Sequence, residues 1–140
     1  MILADTHALV WWQSGSRRLP RSLRTRLDSG STVHVSSVSC WEVATLVARG
    51  RVEIDRPLRQ WVSDMAGPSS PIELVPLDPY AAVLAADLDA AGFHTDPADR
   101  LLYATALTLG VPFATADERM HEFSSGAPSP LRVACIWRQP

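Results

Sequence analysis

Ile2-Leu3-Ala4-Asp5-Thr6-His7-Ala8-Leu9 decides how this chain folds. A short apolar run ends at an acid and a hydroxyl, and a helix-like apolar segment from Ala8 to Trp12 follows. Strand, loop and helix in that order form the opening unit of an α/β domain, and the alternation continues outward from it. A helix is expected over 20–28, closed by the turn Ser29-Gly30-Ser31, and then a β-branched strand over 32–36. Ser39-Cys40-Trp41-Glu42 has the S-x-x-E spacing of a capping box and predicts the strongest helix, stopping at Gly50. Another helix is expected from Pro57 to about Ala66, and the Pro/Ser-rich stretch from Gly67 to Pro71 reads as a loop inside the domain. Ile72 to Leu77 reads as a strand. Asp78-Pro79 and Asp96-Pro97 each set a capping acid before a proline at the first helical position, opening helices that end at Gly92 and near Gly110. Strands over 111–115 and 131–137 complete the pattern, which predicts an α/β fold: a mostly parallel sheet of four to five strands flanked by helices.

Composition narrows the function classes. With 140 residues, 46% hydrophobic and 20% charged, the chain is sized for one buried core, so residues 1–140 read as a single domain. No apolar run approaches the ~20 residues that span a bilayer, and the start lacks a basic leader, so a cytoplasmic protein with no membrane segment is expected. Cys40 and Cys135 show neither metal-ligand spacing nor a disulfide framework and read as buried thiols. All 13 basic residues are arginine. The absence of lysine removes P-loop, Schiff-base and phosphoacceptor-receiver chemistry, and the seven glycines form neither GxGxxG nor GxxxxGK[ST]. No GxSxG nucleophile elbow is present either.

What remains is a set of acids. Asp5, Glu42, Asp99 and Asp117 each fall where a strand-like run is expected to give way to a helix-like one. In a parallel sheet those junctions gather along the carboxyl edge, where ligands bind. Carboxylates crowded there repel one another and take up protons unless a cation neutralises them, and oxygen ligands of this kind suit Mg²⁺ or Mn²⁺. Each acid also has a capping explanation. Asp5 can cap the first helix, Glu42 can be the return partner of Ser39, Asp99 can be the third helical residue after Asp96, and Asp117 can open a short helix. Capping accounts for each acid separately but not for their shared place at a sheet edge.

Four ordered blocks carry a family resemblance over nearly the whole chain: Ile2 to Leu9; Val35-Ser36-Ser37-Val38-Ser39-Cys40-Trp41-Glu42-Val43-Ala44; Asp96-Pro97-Ala98-Asp99-Arg100-Leu101-Leu102-Tyr103-Ala104-Thr105-Ala106; and Pro112-Phe113-Ala114-Thr115-Ala116-Asp117. Together they resemble a PIN domain, and in particular the VapC-type toxins of bacterial toxin–antitoxin (VapBC) pairs. The resemblance implies a metal-dependent endoribonuclease toxin using one or two Mg²⁺ or Mn²⁺ ions and leaving 5′-phosphate and 3′-hydroxyl ends. It further implies RNA as substrate, inhibition by a cognate VapB-type antitoxin, and a homodimer. Carried over residue by residue, the catalytic and metal-binding acids are Asp5, Glu42, Asp99 and Asp117. Asp96 is first a helix cap and secondarily a candidate to touch metal through water, while Thr6 and Thr115 are expected to hydrogen-bond the carboxylates or a scissile phosphate. The alternative is a catalytically silent PIN-like module acting as an antitoxin-binding corepressor. A metal-dependent phosphatase of small substrates is a third reading.

Substrate contacts are the least legible feature. A net charge of −2 and a pI near 6.0 give no broad basic surface. Arg17, Arg18, Arg21, Arg24 and Arg26 nevertheless concentrate charge in a segment expected near Asp5, and Arg17, Arg18 and Arg21 are the RNA-binding candidates, against the alternative of ordinary solvated surface. Arg100 is expected to pair locally with an acid. The spacing of His7, His34, His94 and His121 implies no acid/base pair. Leu9, Val10, Trp11, Trp12, Trp41 and Trp61 exceed what one helix stripe needs and point to an interface, with core packing expected for at least half of them.

Overall fold

Alternation within the first strand sets up the architecture. In the computed structural model, which describes residues 1–136, β1 (Ile2–Ala4) sends Ile2 and Ala4 into one hydrophobic core and Leu3 into another. Successive strand side chains point to opposite faces, so a strand apolar at every position must be covered on both sides. β2 (Val33–Ser36) and β3 (Ile72–Val75) pair on one side of β1, and β4 (Phe113–Ala114) and β5 (Cys135–Ile136) on the other, giving the order β3-β2-β1-β4-β5 with every pair parallel. Strand order therefore reverses between β1 and β4, and the crevice beyond their carboxyl ends is where such sheets bind ligands.

Helices cover both faces. α1 (Thr6–Gln13), α2 (Arg21–Leu27) and α4 (Leu58–Met65) bury Ala8, Leu9, Leu23, Leu27, Trp61 and Met65 against Ile2, Ala4, Val33, Val35 and Ala114. On the other face α5 (Pro79–Ala90), α6 (Pro97–Leu109) and α7 (Glu118–Gly126) pack Leu88, Leu102, Tyr103 and Met120 with Leu3 and Phe113. α3 (Ser37–Ala48) serves both, with Val38 in the second core and Val43 in the first. Asp78 and Asp96 cap α5 and α6 as their Asp-Pro pairs predict, and Gly110 ends α6 in the left-handed conformation at φ 67°. Among the described residues no helix is long and apolar enough to cross a membrane.

Several expectations need correction. No loop separates β1 from α1, because Asp5 is itself the N-cap and α1 starts at Thr6 rather than near Ala8. The capping box at Ser39 does not form: Ser36 caps α3 by accepting from the Val38 N–H at 3.1 Å, so the helix begins three residues earlier. Ser39 and Glu42 are consequently interior helical residues and both turn toward Thr6. Asp99 does not follow a strand, since α5 leads to α6 with only a connection between them. β3 stops at Val75 and β4 is two residues long, because Pro112 cannot donate to the ladder. Residues 129–131 form a 3₁₀ turn, leaving Cys135 and Ile136 as the last strand; its expected end at Trp137 lies outside the described residues.

Candidate active site

Asp5 and Asp117 follow β1 and β4, the two strands at the order reversal, and the register that pairs Ala4 with Ala114 sets Asp5 beside Thr115. The Thr115 hydroxyl donates to Asp5 Oδ2 at 2.7 Å and accepts the Asp117 N–H at 3.1 Å, tying the two junctions together. The His121 ring contacts the Thr115 carbonyl at 2.8 Å from α7, fixing the same loop from behind. Asp5 Oδ1 accepts the Thr6 N–H at 2.7 Å, so its capping geometry and its place at the cleft coexist.

Thr6 extends the network to α3. Its hydroxyl donates to Glu42 Oε1 at 2.7 Å and lies 3.0 Å from the Ser39 hydroxyl, which is how an acid in the second turn of a helix reaches the sheet edge. α6 supplies Asp99, whose N–H is capped by Asp96 at 3.2 Å and whose Oδ2 sits 2.6 Å from His94 Nε2. His94 is held by stacking on Phe93, with ring centroids 4.3 Å apart. Nδ1 of His94 is buried without a partner, so the neutral ring with its proton on Nε2, donating to Asp99, avoids an orphaned buried N–H.

The electrostatics are those of crowded acids. Asp5 is raised to about 6, first by burial and then, against the Thr115 hydrogen bond, by the charge of Asp99. Asp99 is raised to about 7 by burial and by Asp96, Asp117 and Glu42. Glu42 also rises, through burial, although the Thr6 hydroxyl opposes the shift. Asp117 goes the other way: burial works to raise it, but Arg119 outweighs that with a two-point contact, Nε to Oδ1 at 3.1 Å and Nη2 to Oδ2 at 2.8 Å. Arg119 Nη2 also lies 3.5 Å from Asp99 Oδ2.

Asp5, Glu42, Asp99 and Asp117 are thus linked in one network through Thr6, Thr115 and Arg119, and Asp96 caps the Asp99 N–H beside it. One oxygen each of Asp99 and Asp117 and a ring nitrogen of His94 lie within 4.8 Å of one another, close enough to share a cation. His94 and Arg119 escaped sequence reasoning. The spacing of five residues between His94 and Asp99 carries no helical or strand period, whereas Arg119, two residues after a capping acid, was in principle readable as its partner.

Arg17, Arg18 and Arg21 are not brought to the cleft. They are exposed beyond the far end of α1, whose eight residues put roughly 12 Å between its ends. Arg24 has a structural task there, donating to the carbonyls of Trp11 and Trp12 at the end of α1 and of Ser16 just beyond it, and the Arg18 guanidinium lies 5.7 Å from the Trp11 ring centroid. Arg100 pairs with Asp89 at 3.4 Å and the Thr95 carbonyl rather than with an acid of the cleft. Of the apolar surplus, Leu9 and Trp61 are core and Trp11 and Trp12 half-buried, with the indole N–H groups of Trp12 and Trp61 satisfied by Asp28 and Gln13; Trp41 alone of the tryptophans up to residue 136 is strongly exposed, at 63%. Cys40 and Cys135 are half-buried and form no disulfide.

Known proteins share this fold. A family profile described as PIN domain matches residues 2–125. Ribonuclease VapC22 of Mycobacterium tuberculosis is 30% identical over 132 residues, spanning 94% of this chain and 97% of that protein. Among solved structures, VapBC2 from Rickettsia felis, bound to a DNA fragment from their promoter, has a TM-score of 0.61 at 16% identity, covering 95% of this chain and 96% of that one. A toxin–antitoxin complex from Klebsiella pneumoniae has a TM-score of 0.60 at 14% identity, covering 95% and 100%. The two structural likenesses speak for the fold, and with the profile match and the 30% identity they lead to one conclusion: this chain belongs to the PIN domain family.

Proposed function

We propose that this chain is a VapC-type endoribonuclease toxin, dependent on Mg²⁺ or Mn²⁺ and held in check by a cognate antitoxin. The observation that carries the reading is the meeting of Asp5, Glu42, Asp99 and Asp117, far apart in sequence, in one cleft where burial and mutual repulsion hold Asp5 and Asp99 near 6 and 7. Such a donor set fits Mg²⁺ or Mn²⁺: mostly carboxylate oxygen with one ring nitrogen of His94 in reach, negatively charged, and destabilised by its own crowding until a cation arrives.

Asp5 and Asp99 would hold the ion, with Asp117 and Glu42 binding it directly or through water, and Asp96 through water only. When bound, such an ion would supply a lowered pKa of water and compensation for charge on the leaving oxygen. The chain's own residues do the positioning. Thr115 and the Thr6 N–H fix both oxygens of Asp5, the Thr6 hydroxyl orients Glu42, and His94 engages Oδ2 of Asp99. No side-chain nucleophile is required, and water would be the attacking group. Arg17, Arg18 and Arg21, beyond the far end of α1, would meet nucleotides flanking the cleaved bond rather than the bond itself.

The antitoxin reading rests on relatives. VapBC2 and the Klebsiella pneumoniae complex are two-component assemblies sharing this fold. A groove lined by Val10, Trp12, Ile54, Trp61 and Ile72 and also by Gln13, Glu53, Asp55, Arg56 and Asp64 offers a seat for a segment carrying both apolar and charged side chains. Purified antitoxin-free protein incubated with total cellular RNA, with Mn²⁺ or with EDTA, tests the function. Cleavage with Mn²⁺ alone is the expected result; full activity under chelation rejects the mechanism, and no cleavage under any metal leaves the silent corepressor. Co-expression with the product of a neighbouring small gene should relieve toxicity.

A further inference from the structure

Arg119 sets a positive charge where the proposed function needs a divalent ion. Its guanidinium engages both oxygens of Asp117, and Asp99 Oδ2 is shared between Arg119 and His94. A divalent ion approaching Asp117 therefore meets the Arg119 charge at both oxygens while Arg119 stays in place. An arginine cannot vacate the site by losing its proton, since guanidinium remains charged at any accessible pH. It can vacate it only by moving. The side chain is 59% exposed, and the Asp117 cap on the Arg119 N–H at 2.9 Å does not depend on where the guanidinium lies.

The fork geometry also indicates where the group goes. A guanidinium that binds a carboxylate in two-point fashion binds a phosphate oxygen pair equally well. Once displaced, it remains tethered at the rim of the cleft that the scissile phosphate must enter. We propose that Arg119 is an exchangeable counter-ion: in metal-free protein it neutralises Asp117 and Asp99, it yields to the divalent ion, and it then contacts the phosphate of the RNA. This inference rests on the metal-dependent reading above and adds to it a residue that couples metal loading to substrate capture.

The test compares wild type with Arg119→Gln and with Arg26→Gln, which removes the same charge from the exposed end of α2. Mn²⁺ binding is measured by calorimetry on metal-stripped protein, and RNA binding by KM at saturating Mn²⁺. Arg119→Gln should bind Mn²⁺ roughly 3- to 10-fold tighter, the scale of a partly exposed charge contact, and raise KM for RNA by a similar factor with kcat changed less. Arg26→Gln should leave the Mn²⁺ affinity as in wild type. Unchanged or weaker Mn²⁺ binding by Arg119→Gln, with wild type binding normally and Asp99→Asn not, overturns the proposal alone. Tighter Mn²⁺ binding with an unchanged KM removes the phosphate contact. If wild type itself binds no Mn²⁺, the metal-dependent reading falls and this inference with it.

Discussion

Asp5 is a helix cap and a cleft carboxylate at once, and only its charge separates the two roles. Asparagine caps a helix about as well as aspartate, so Asp5→Asn preserves the bond from the Thr6 N–H while removing a charge that burial penalises. Asp5→Asn and Asp99→Asn are each expected to leave metal-free protein as stable as wild type or more so, to shrink the stabilisation given by Mn²⁺, and to cut RNA cleavage at least about 100-fold, beyond the usual cost of losing a supporting residue. Near-normal cleavage by both folded variants at saturating Mn²⁺ would remove them from the site. Thr115→Val probes the link between the two junctions: it strips Asp5 of a donor and Asp117 of an acceptor in a fully buried place. It should cost roughly 1–2 kcal/mol in urea unfolding and push Asp5 further up in an NMR titration. An unmoved Asp5 titration would show that the hydroxyl does not hold the carboxylate. The four acids and Thr6 and Thr115 were open to proposal from sequence because ordered motifs surround them. His94 was not, because its contact with Asp99 depends on how the α5–α6 connection packs Phe93 under the ring.

At the scale of elements, local chemistry was readable where it had no rival. Asp78-Pro79 and Asp96-Pro97 announce α5 and α6 because the acid caps and the proline fits only the first turn. Around α3 the S-x-x-E spacing pointed to Ser39 with Glu42 as the capping pair. The structure chooses Ser36 because β2 ends there, and the interior serine and glutamate are drawn to Thr6 across a packed interface that spacing cannot express. Ser36→Ala should therefore cost about 1 kcal/mol of stability by the loss of a cap. Ser39→Ala should cost no cap energy and should instead disturb Glu42; equal losses in the two variants would place the helix start at neither. The arginine segment fails for a related reason. Sequence nearness put Arg17, Arg18 and Arg21 by Asp5, but α1 carries the chain away from the carboxyl edge. If they meet flanking RNA, replacing all three by alanine should weaken binding and flatten its salt dependence without lowering turnover at saturating RNA. An unchanged salt slope would return them to solvated surface.

Over the whole molecule, a parallel sheet with its order reversal at β1 and β4 concentrates negative charge at one edge, and the fold's stability carries that load. Asp5 near 6 and Asp99 near 7 both lie above the ordinary 3.8. Below about pH 4 the folded and unfolded chains both hold these protons. Between about 4 and 7 the unfolded chain releases them while the fold retains them, so stability falls as pH rises and levels off once both are ionised. His94, lowered by burial and by Arg119, works against this below 6.5, where the unfolded ring takes up a proton first, but its shift is the lesser one. Asp117, lowered by Arg119, loses its contribution only at the acid end, as pH falls below the ordinary carboxylate range. Metal-free protein should therefore be more stable at pH 5 than at pH 8, by on the order of 3 kcal/mol. Saturating Mn²⁺ should invert the slope, because a cation binds the ionised carboxylates and its stabilisation grows as they lose their protons. Chemical denaturation at both pH values, with EDTA and with Mn²⁺, reads the two slopes. A metal-free protein equally stable at pH 5 and pH 8 would mean that Asp5 and Asp99 are solvated and apart, and that the carboxylates do not crowd one cleft.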